Sequence, residues 1–433
     1  MSRLRSRLLV PLAGLAWLMA TPQIASADPT PAAPPERPAA RLVGCSTYAP
    51  VCAHAVAGTT PSAEALHATL TSAESMLEFL RRSGLPTFAP NDRAGGGPEL
   101  DVYLDANEKG GHAVVEPRSA VGAHDVASAF VVAEPHVDGC RLASNVARAT
   151  AAAVLLQLSP GAHASTIALG ASQLAALAAP CPTVEFAAVD AFQRAPEGGL
   201  TRSDPRQFHG GALWLEHLDA TYGRPFTSRL FTDLVALTSQ RTAADALDLA
   251  AEPDLYDVLR RVFSALGTSL DEALSSFAVA RAFVGSRSDG AHIADTERFG
   301  DLGRVRFDWR ADLAGLPRRL QTRPLEPTGA SYLWLETVGA TEKEGLVVSI
   351  ECEATYAFRW ALVTVDAEGK ELGRHIGGRF GEDTTQLTLA NLAGVAAVLV
   401  VGTSLGHDDR ERAFDPEDRV SGEAVCEVSL HRS

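Results

Sequence analysis

The sequence has little positive charge and hardly any lysine. Its 53 acidic residues outnumber the 38 basic ones, which gives a formal net charge of −15, and lysine occurs only at 109, 343 and 370. Because no basic stripe is available to meet phosphates, we expect no nucleic-acid partner. Beyond its first residues the chain also lacks an apolar run long enough to span a bilayer. We therefore expect no transmembrane span once the N-terminal segment is removed.

Short metal-binding motifs are missing as well. The six cysteines are spread singly and no CxxC pair occurs. In an exported chain this pattern favours disulfides over a zinc site. Sequence neighbourhood favours one of the many possible pairings. The expected pairs are Cys45–Cys52, Cys140–Cys181 and Cys352–Cys426.

The N-terminus has the pattern of a secretory signal. A basic start precedes a short apolar run, Leu8 to Met19, and the small residues Ala25-Ser26-Ala27 follow as a cleavage site. We therefore predict a signal peptide over residues 1–27, with a membrane anchor as the alternative, and a secreted, periplasmic or cell-envelope location. A Pro/Ala-rich linker, extended and without a core, is expected over residues 28–40.

The remaining chain, about 400 residues, is too long for one ordinary core, so two domains are expected. Apolar residues at helical spacing predict a helix-rich domain over residues 41–290, with two strands, Glu99–Asp105 and Ser128–Glu134. One helix lies within Ala143–Pro160, capped by Ser144 or Asn145 and stopped by Pro160. The other predicted helices are Ser62–Ser83, Thr166–Ala179, Val184–Arg194, Phe208–Thr221, Phe226–Thr238, Ala243–Ala250, Leu255–Leu266 and Ser269–Phe283.

From about Arg304 the composition changes to alternating, strand-like runs separated by turn signals. About seven strands at this spacing predict an antiparallel β-sandwich over residues 300–433. The expected fold class is therefore α+β: a mainly helical domain with a small sheet, followed by a C-terminal sandwich.

Several motifs suggest catalysis without supplying a complete site. The GxSxG pattern at Gly402–Gly406 offers Ser404, but a charged loop follows instead of a helix, so a sandwich turn is the better interpretation. His209 and His217 are too far apart on a helix to bind one metal ion, which favours core-edge or solvent-facing histidines beside Glu216 and Asp219. The glycines Gly210-Gly211, expected inside that helix, indicate close packing against a neighbouring element.

Two further clusters remain open. His124, Asp125 and His136 flank the second predicted strand and could act as a base pair, although no nucleophile is fixed beside them. An acidic loop in the sandwich could bind calcium through oxygen ligands, although a solvated charge run is commoner. Its members are Asp408, Asp409, Asp415, Glu417 and Asp418.

The order of segments resembles a known family. The chain contains the following segments in this order: a helix ending "SAESMLEFLRRSGLP", the strands "LDVYLD" and "ASAFVVAE", an Ala-rich helix ending "LLQLSP", and the segments "ALGASQLAAL" and "FHGGALWLEHLDATYG". Over Ala63 to Gly285 this series resembles secreted bacterial metalloproteases of the HExxH zincin type. In such enzymes two histidines on the Ala-rich helix hold zinc, and the glutamate between them is the general base.

Laid on this chain, the motif places Ala149 and Ala153 at the histidine positions and Thr150 at the glutamate position, with a third ligand expected near Leu169 or Gly170. Methyl groups cannot bind zinc, so the resemblance implies the scaffold without its reaction and without a cofactor. The expected function is binding of a peptide, a protein or a surface polymer by a catalytically inactive relative. The alternatives are a hydrolase that uses His124, Asp125 or His209, a structural envelope or surface protein, and an unrelated helical core.

Overall fold

The computed structural model describes most of the chain after the N-terminal segment. The described residues are 36–85, 97–116, 128–137, 139–160, 162–202, 204, 207, 209–238, 254–378, 384–407 and 422–433. They belong to one compact unit with the predicted α+β architecture: helices around a small sheet, followed by a largely antiparallel sandwich. The predicted signal peptide and the helix expected over 243–250 lie outside the described residues.

The small sheet has five strands in the order β1-β2-β3-β5-β4. Strands β2, β3 and β5 are parallel, and the edge strands β1 and β4 pair antiparallel to their neighbours. Only β3 and β5 are expected from the sequence; the interior strand β2 and the edge strands β1 and β4 are not. The bounds are β1 Ala40–Cys45, β2 Val51–Val56, β3 Leu100–Leu104, β4 Gly111–Glu116 and β5 Ser128–Ala133.

Helices α1 and α2 cover one face of this sheet. Val102 and Val131 of the sheet, Ala73 of α1, and Val146 and Ala153 of α2 belong to one buried cluster. The helices are α1 Ala63–Arg82, α2 Gly139–Leu158, α3 Ala164–Ala178, α4 Pro182–Arg194, α5 Ala212–Tyr222, α6 Phe226–Thr238, α7 Leu255–Ala265 and α8 Leu270–Ala282.

Most predicted helix ends agree with the structure within a few residues, because caps mark them. Ser62 caps α1 and Ser269 caps α8 through their hydroxyl groups. The start of α2 is the exception. It begins at Gly139, so Ser144 and Asn145 are buried within the helix and do not cap it. The disulfide Cys140–Cys181 ties the first turn of α2 to the start of α4, a tertiary constraint that local propensity does not show.

The sandwich consists of two facing sheets in the orders β11-β10-β13-β8-β6 and β12-β9-β14-β7. Strand β6 is parallel to β8, and the other pairs are antiparallel. The bounds are β6 Trp309–Asp312, β7 Arg318–Gln321, β8 Ala330–Glu336, β9 Leu346–Cys352, β10 Tyr356–Val365, β11 Glu371–Gly377, β12 Thr384–Leu389, β13 Ala397–His407 and β14 Cys426–Arg432.

The helices and the sandwich share a core. Ala278, Ala282 and Phe283, in and just after α8, pack with Tyr332 and Val363 on the outer face of the five-stranded sandwich sheet. The Tyr332 hydroxyl also donates to the Ala278 carbonyl at 2.7 Å. This apolar contact fixes the sandwich against the helices.

All three expected disulfides are present: Cys45–Cys52, Cys140–Cys181 and Cys352–Cys426. The first and last join directly opposed residues of antiparallel strands. Within the described parts of the chain, no helix is both long and apolar enough to cross a membrane.

Two sequence expectations were wrong in detail. The GxSxG segment is part of strand β13, and Ser404 is fully buried in it, so neither the expected turn nor the strand–turn–helix of a nucleophile is present there. The predicted linker, residues 28–40, also extends too far along the chain. Strand β1 begins at Ala40, and Arg37 already contacts Asp101 and Glu116. The partners of Arg37 come from distant strands, which linker composition does not reveal.

Candidate functional site

A narrow cavity of about 50 Å³, partly open to solvent, lies among α2, α3, α4 and α5. Gly210 explains how α5 approaches α4 here. A Cβ at Gly210 would lie 2.2 Å from Phe192 Cβ and 2.4 Å from the Ala188 carbonyl oxygen. The expected close packing is therefore confirmed, although Gly210 and Gly211 lie in the turn before α5. The polar side chains on the wall are Ser144, Arg148, Ser172, Gln173, Glu185, His209, Glu216 and Arg298.

Arg148 is the cation that α2 contributes to this cavity. Burial lowers the pKa of its guanidinium to about 10, because desolvation disfavours the charged form. It donates a hydrogen bond to Asn145 Oδ1, one turn earlier, at 3.3 Å. Among the described residues, no carboxylate forms a salt bridge with it. The cavity thus contains a largely buried positive charge without a protein counter-charge.

His209 and Ser172 form a hydrogen-bonded pair on the same wall, with 2.7 Å between Nδ1 and Oγ. Burial, and then the charge of Arg148, lower the pKa of His209 to about 3. The imidazole is therefore neutral at physiological pH. Sequence reasoning named His209 but not Ser172, which α3 brings to it.

The other end of the cavity is acidic. Burial raises the pKa of Glu216, while the Arg298 guanidinium opposes that shift from 3.8 Å away. Arg298 also lies 3.4 Å from Glu185. Arg298 thus has two carboxylates beside it, whereas Arg148 has none among the described residues.

The expected zinc positions do not line the cavity. Ala149 and Ala153 lie in the core between α2 and the small sheet, whereas Ser144 and Arg148 face the cavity. Ala149 is five positions after Ser144, which corresponds to about 140° around an α-helix. The residues selected by the motif alignment, Ala149 and Ala153, therefore face the small sheet and not this cavity.

The places expected for a third ligand are also filled. Leu169 is 1 % exposed, and a Cβ at Gly170 would lie 2.3 Å from Phe231 Cζ. Ser172 and Gln173 face the cavity instead. Among the described residues, no group of three or more His, Cys, Asp or Glu side chains is arranged to hold a metal ion.

The remaining predicted residues have separate roles. His217 is not at the core edge: it is 5 % exposed and stacks on Trp214. Asp219 accepts hydrogen bonds from the Thr227 backbone at 2.8 Å and from Gln173 at 3.3 Å, a structural role. His136 lies in an exposed turn after β5. His124, Asp125 and the acidic loop of residues 408–418 are outside the described residues.

A buried ionic network that sequence reasoning missed lies on the opposite face of the small sheet. Arg37 donates two hydrogen bonds to Glu116, both at 2.7 Å, and contacts Asp101. Asp101 also accepts a 2.7 Å contact from His54 Nε2. Burial would raise the pKa of Asp101, but hydrogen bonds from His54 and Arg37 outweigh it and lower that pKa. The Ser128 hydroxyl donates to Glu116 at 2.7 Å.

A second missed cluster joins the helical part to the sandwich. His292 Nδ1 lies 2.9 Å from Asp289, and Nε2 lies 2.8 Å from Glu371 of β11. Burial would lower the pKa of His292, but the hydrogen bonds to Glu371 and Asp289 outweigh it and raise that pKa. Arg374 also pairs with Glu371 at 2.6 Å. These satisfied pairs stabilise the junction.

Neither the family models nor the curated proteins give a match to this chain. Among solved structures, the pre-peptidase C-terminal domain of a collagenase from Bacillus anthracis is 11 % identical, with a TM-score of 0.21, over 29 % of this chain and 98 % of that one. The enzymatically active domain of tailspike protein 4 from bacteriophage CBA120 is 8 % identical, with a TM-score of 0.19, over 26 % of this chain and 15 % of that one. Both TM-scores are too low to identify a fold or a function here.

Proposed function

We propose that this chain is an exported relative of the HExxH metalloproteases that has lost the metal site and acts by binding. The observation that carries the proposal is the cavity face of α2. If the five-residue motif is placed on this face, it falls on Ser144–Arg148. Ser144 and Arg148 then occupy the histidine positions, and Asn145 occupies the position of the glutamate.

These residues do not fit zinc. A serine hydroxyl is a weak ligand for zinc compared with the usual imidazole, thiolate and carboxylate groups, and a guanidinium repels a dication. The nearby His209 is a single imidazole already hydrogen-bonded to Ser172. The donor set therefore supports binding rather than metal-assisted hydrolysis.

A hydrolase is the second candidate, because Ser172 and His209 have the spacing of a nucleophile and its base. The basicity argues against it. A base with a pKa of about 3 takes a proton from a hydroxyl far less readily than one with a pKa near the working pH. The pair is better suited to donating a hydrogen bond than to activating Ser172.

Export is supported by the three disulfides, which persist in oxidising compartments. The basic and apolar N-terminal pattern over residues 1–27 supports the same location. Proteins outside the cytoplasm commonly recognise peptides or surface polymers without acting on them, and the open cavity provides a place for such contacts.

The test combines metal analysis with peptidase assays on the purified wild type. We expect no stoichiometric zinc and no zinc-dependent cleavage of a mixed peptide library. Stoichiometric zinc accompanied by cleavage that a chelator abolishes would refute the proposal.

Ancestry is tested separately by restoring the motif on each face of α2. The variant Ser144→His/Asn145→Glu/Arg148→His, combined with Ser172→Glu, should gain zinc affinity, because Ser144, Arg148 and Ser172 face the cavity and would supply the metal ligands. The matched control, Ala149→His/Thr150→Glu/Ala153→His, should unfold or remain metal-free, because its side chains enter the core against the sheet. Zinc binding by the folded control alone would argue against the revised register.

A further inference from the structure

Resting on the proposed binding function, we propose that the cavity among α2, α3 and α5 binds a carboxylate group through Arg148. The ligand is either a small organic acid or the C-terminus of a peptide. Both present the same group to the same residues, so one site accommodates either.

The first support is the unbalanced charge of Arg148. A guanidinium withdrawn from water is costly unless a carboxylate or other anion pairs with it. Among the described residues its hydrogen bond is to a neutral amide, that of Asn145, and no carboxylate lies within salt-bridge distance. Arg298, which lines the same cavity, shows the contrast, since it lies near both Glu185 and Glu216. An anion entering beside Arg148 would supply the missing charge.

The second support is a hydrogen-bond donor that remains whichever tautomer His209 adopts. A neutral imidazole and a hydroxyl carry one polar hydrogen each, and their mutual hydrogen bond at 2.7 Å uses one of them. If Ser172 donates to Nδ1, the proton on Nε2 of His209 remains. If Nδ1 donates, the Ser172 hydroxyl proton remains. The pair therefore always offers one donor, and never a second positive charge.

The third support is the position of Ser144. It lies one helical turn before Arg148, and both side chains line the cavity. A carboxylate has two oxygen atoms that accept hydrogen bonds, which match the two-pronged guanidinium. Ser144 and the Ser172–His209 pair add neutral donors around the same group.

The cavity walls favour a carboxylate over phosphate. Apolar side chains, including Val189, Leu213 and Phe299, form much of the remaining lining and suit an organic body attached to the acid. Glu185 and Glu216 lie on the far wall and would repel a second negative charge. One guanidinium therefore suits a singly charged group better than a doubly charged one.

Calorimetric titration of the full mature chain tests the inference. The probes are sodium propanoate, N-acetyl-Ala-Ala with a free C-terminus, the same dipeptide as an amide, sodium phosphate and sodium chloride at equal ionic strength. We expect at least one of the two carboxylates to bind. If the peptide is the ligand, its amide should bind at least about tenfold more weakly than the dipeptide with a free C-terminus. Binding of propanoate alone would assign the site to small acids.

Variants then locate the group. Arg148→Gln should weaken carboxylate binding at least about tenfold, and Ser172→Ala should weaken it less, because the charge remains. The matched control Arg81→Gln removes an exposed arginine of α1 and should bind as the wild type does. If Arg148→Gln does not fold, the wild-type titrations and Ser172→Ala still decide the question.

The inference is overturned if neither carboxylate binds the wild type, or if phosphate binds more tightly than both. It is also overturned if a folded Arg148→Gln variant binds the carboxylate as the wild type does. Weakened binding by Arg298→Gln would then place the anion at the other wall. If the wild type contains no zinc and has no peptidase activity but also does not bind carboxylates, only this inference is refuted. Zinc-dependent peptidase activity would instead refute the proposed function.

Discussion

Replacing His217 by phenylalanine should make the protein more resistant to mild acid. His217 is 5 % exposed, and its ring contacts those of Trp214 and Phe277. Its Nδ1 has no hydrogen-bond partner in the described part of the chain. Burial, and then the charges of His292 and Arg374, lower its pKa from 6.5 to about 4. A phenylalanine ring has a similar shape and can retain these aromatic contacts.

The size of the effect follows from proton linkage. Below pH 6.5 His217 is protonated in the unfolded chain but stays neutral in the folded protein. The free energy of unfolding therefore falls as the pH drops towards the pKa of the folded state. Each pH unit within this window costs about 1.4 kcal/mol. Between pH 7 and pH 5 the wild type should therefore lose about 2 kcal/mol through His217, a loss that the variant should not show.

Urea unfolding at pH 7 and pH 5 measures this difference. The comparison isolates His217, because His209, His292 and the carboxylates titrate in both proteins. The NMR titration of the His217 imidazole in the folded wild type provides an independent check. If both proteins lose the same free energy of unfolding between the two pH values, or if the imidazole titrates near pH 6.5, the reasoning is refuted.

Three further outcomes are expected in urea unfolding. The Cys352→Ala/Cys426→Ala variant should lose about 4 kcal/mol by loop entropy, since the bond spans 74 residues; a loss below 1 kcal/mol would contradict this. His292→Gln should be most destabilising below the unfolded pKa of about 6.5, and its deficit should shrink as the pH rises through the raised folded pKa; a deficit that grows with pH would reverse the sign. Gly170→Ala should cost about 1–3 kcal/mol because its Cβ would lie 2.3 Å from Phe231, and unchanged stability would show that the ring moves freely.

Only some residues of the candidate site could be predicted from the sequence. His209 and Glu216 attract notice because imidazole and carboxylate are reactive types, and both line the cavity. Arg148 and Ser172 give no such signal, because an arginine in an Ala-rich helix looks like a solvated charge and a serine looks neutral. Their importance comes from their surroundings: Arg148 has no carboxylate partner among the residues that the structure describes, and Ser172 is hydrogen-bonded to His209 of another segment.

The choice of helix face is the clearest case in which tertiary structure decided. The sequence alone suggests that Ala149 and Ala153 replace the zinc-binding histidines of the motif. Small methyl side chains are, however, also what a helix needs where it packs closely on a sheet. A single sequence cannot tell which side of α2 meets β3 and β5. Placing the sheet puts Ala149 in the core and Arg148, the preceding residue, at the cavity.

The α+β class, most helix ends and all three disulfides could be predicted from the amino-acid sequence. The helices and strands follow from helical spacing, capping side chains and alternating runs, and each disulfide joins two cysteines that are consecutive in the chain. The partners of Arg37, the pairing of Ser172 with His209 and the position of Arg148 away from described carboxylates follow from the three-dimensional arrangement alone. Such contacts join residues far apart in the chain, and their energies depend on burial, which no local pattern of residues encodes.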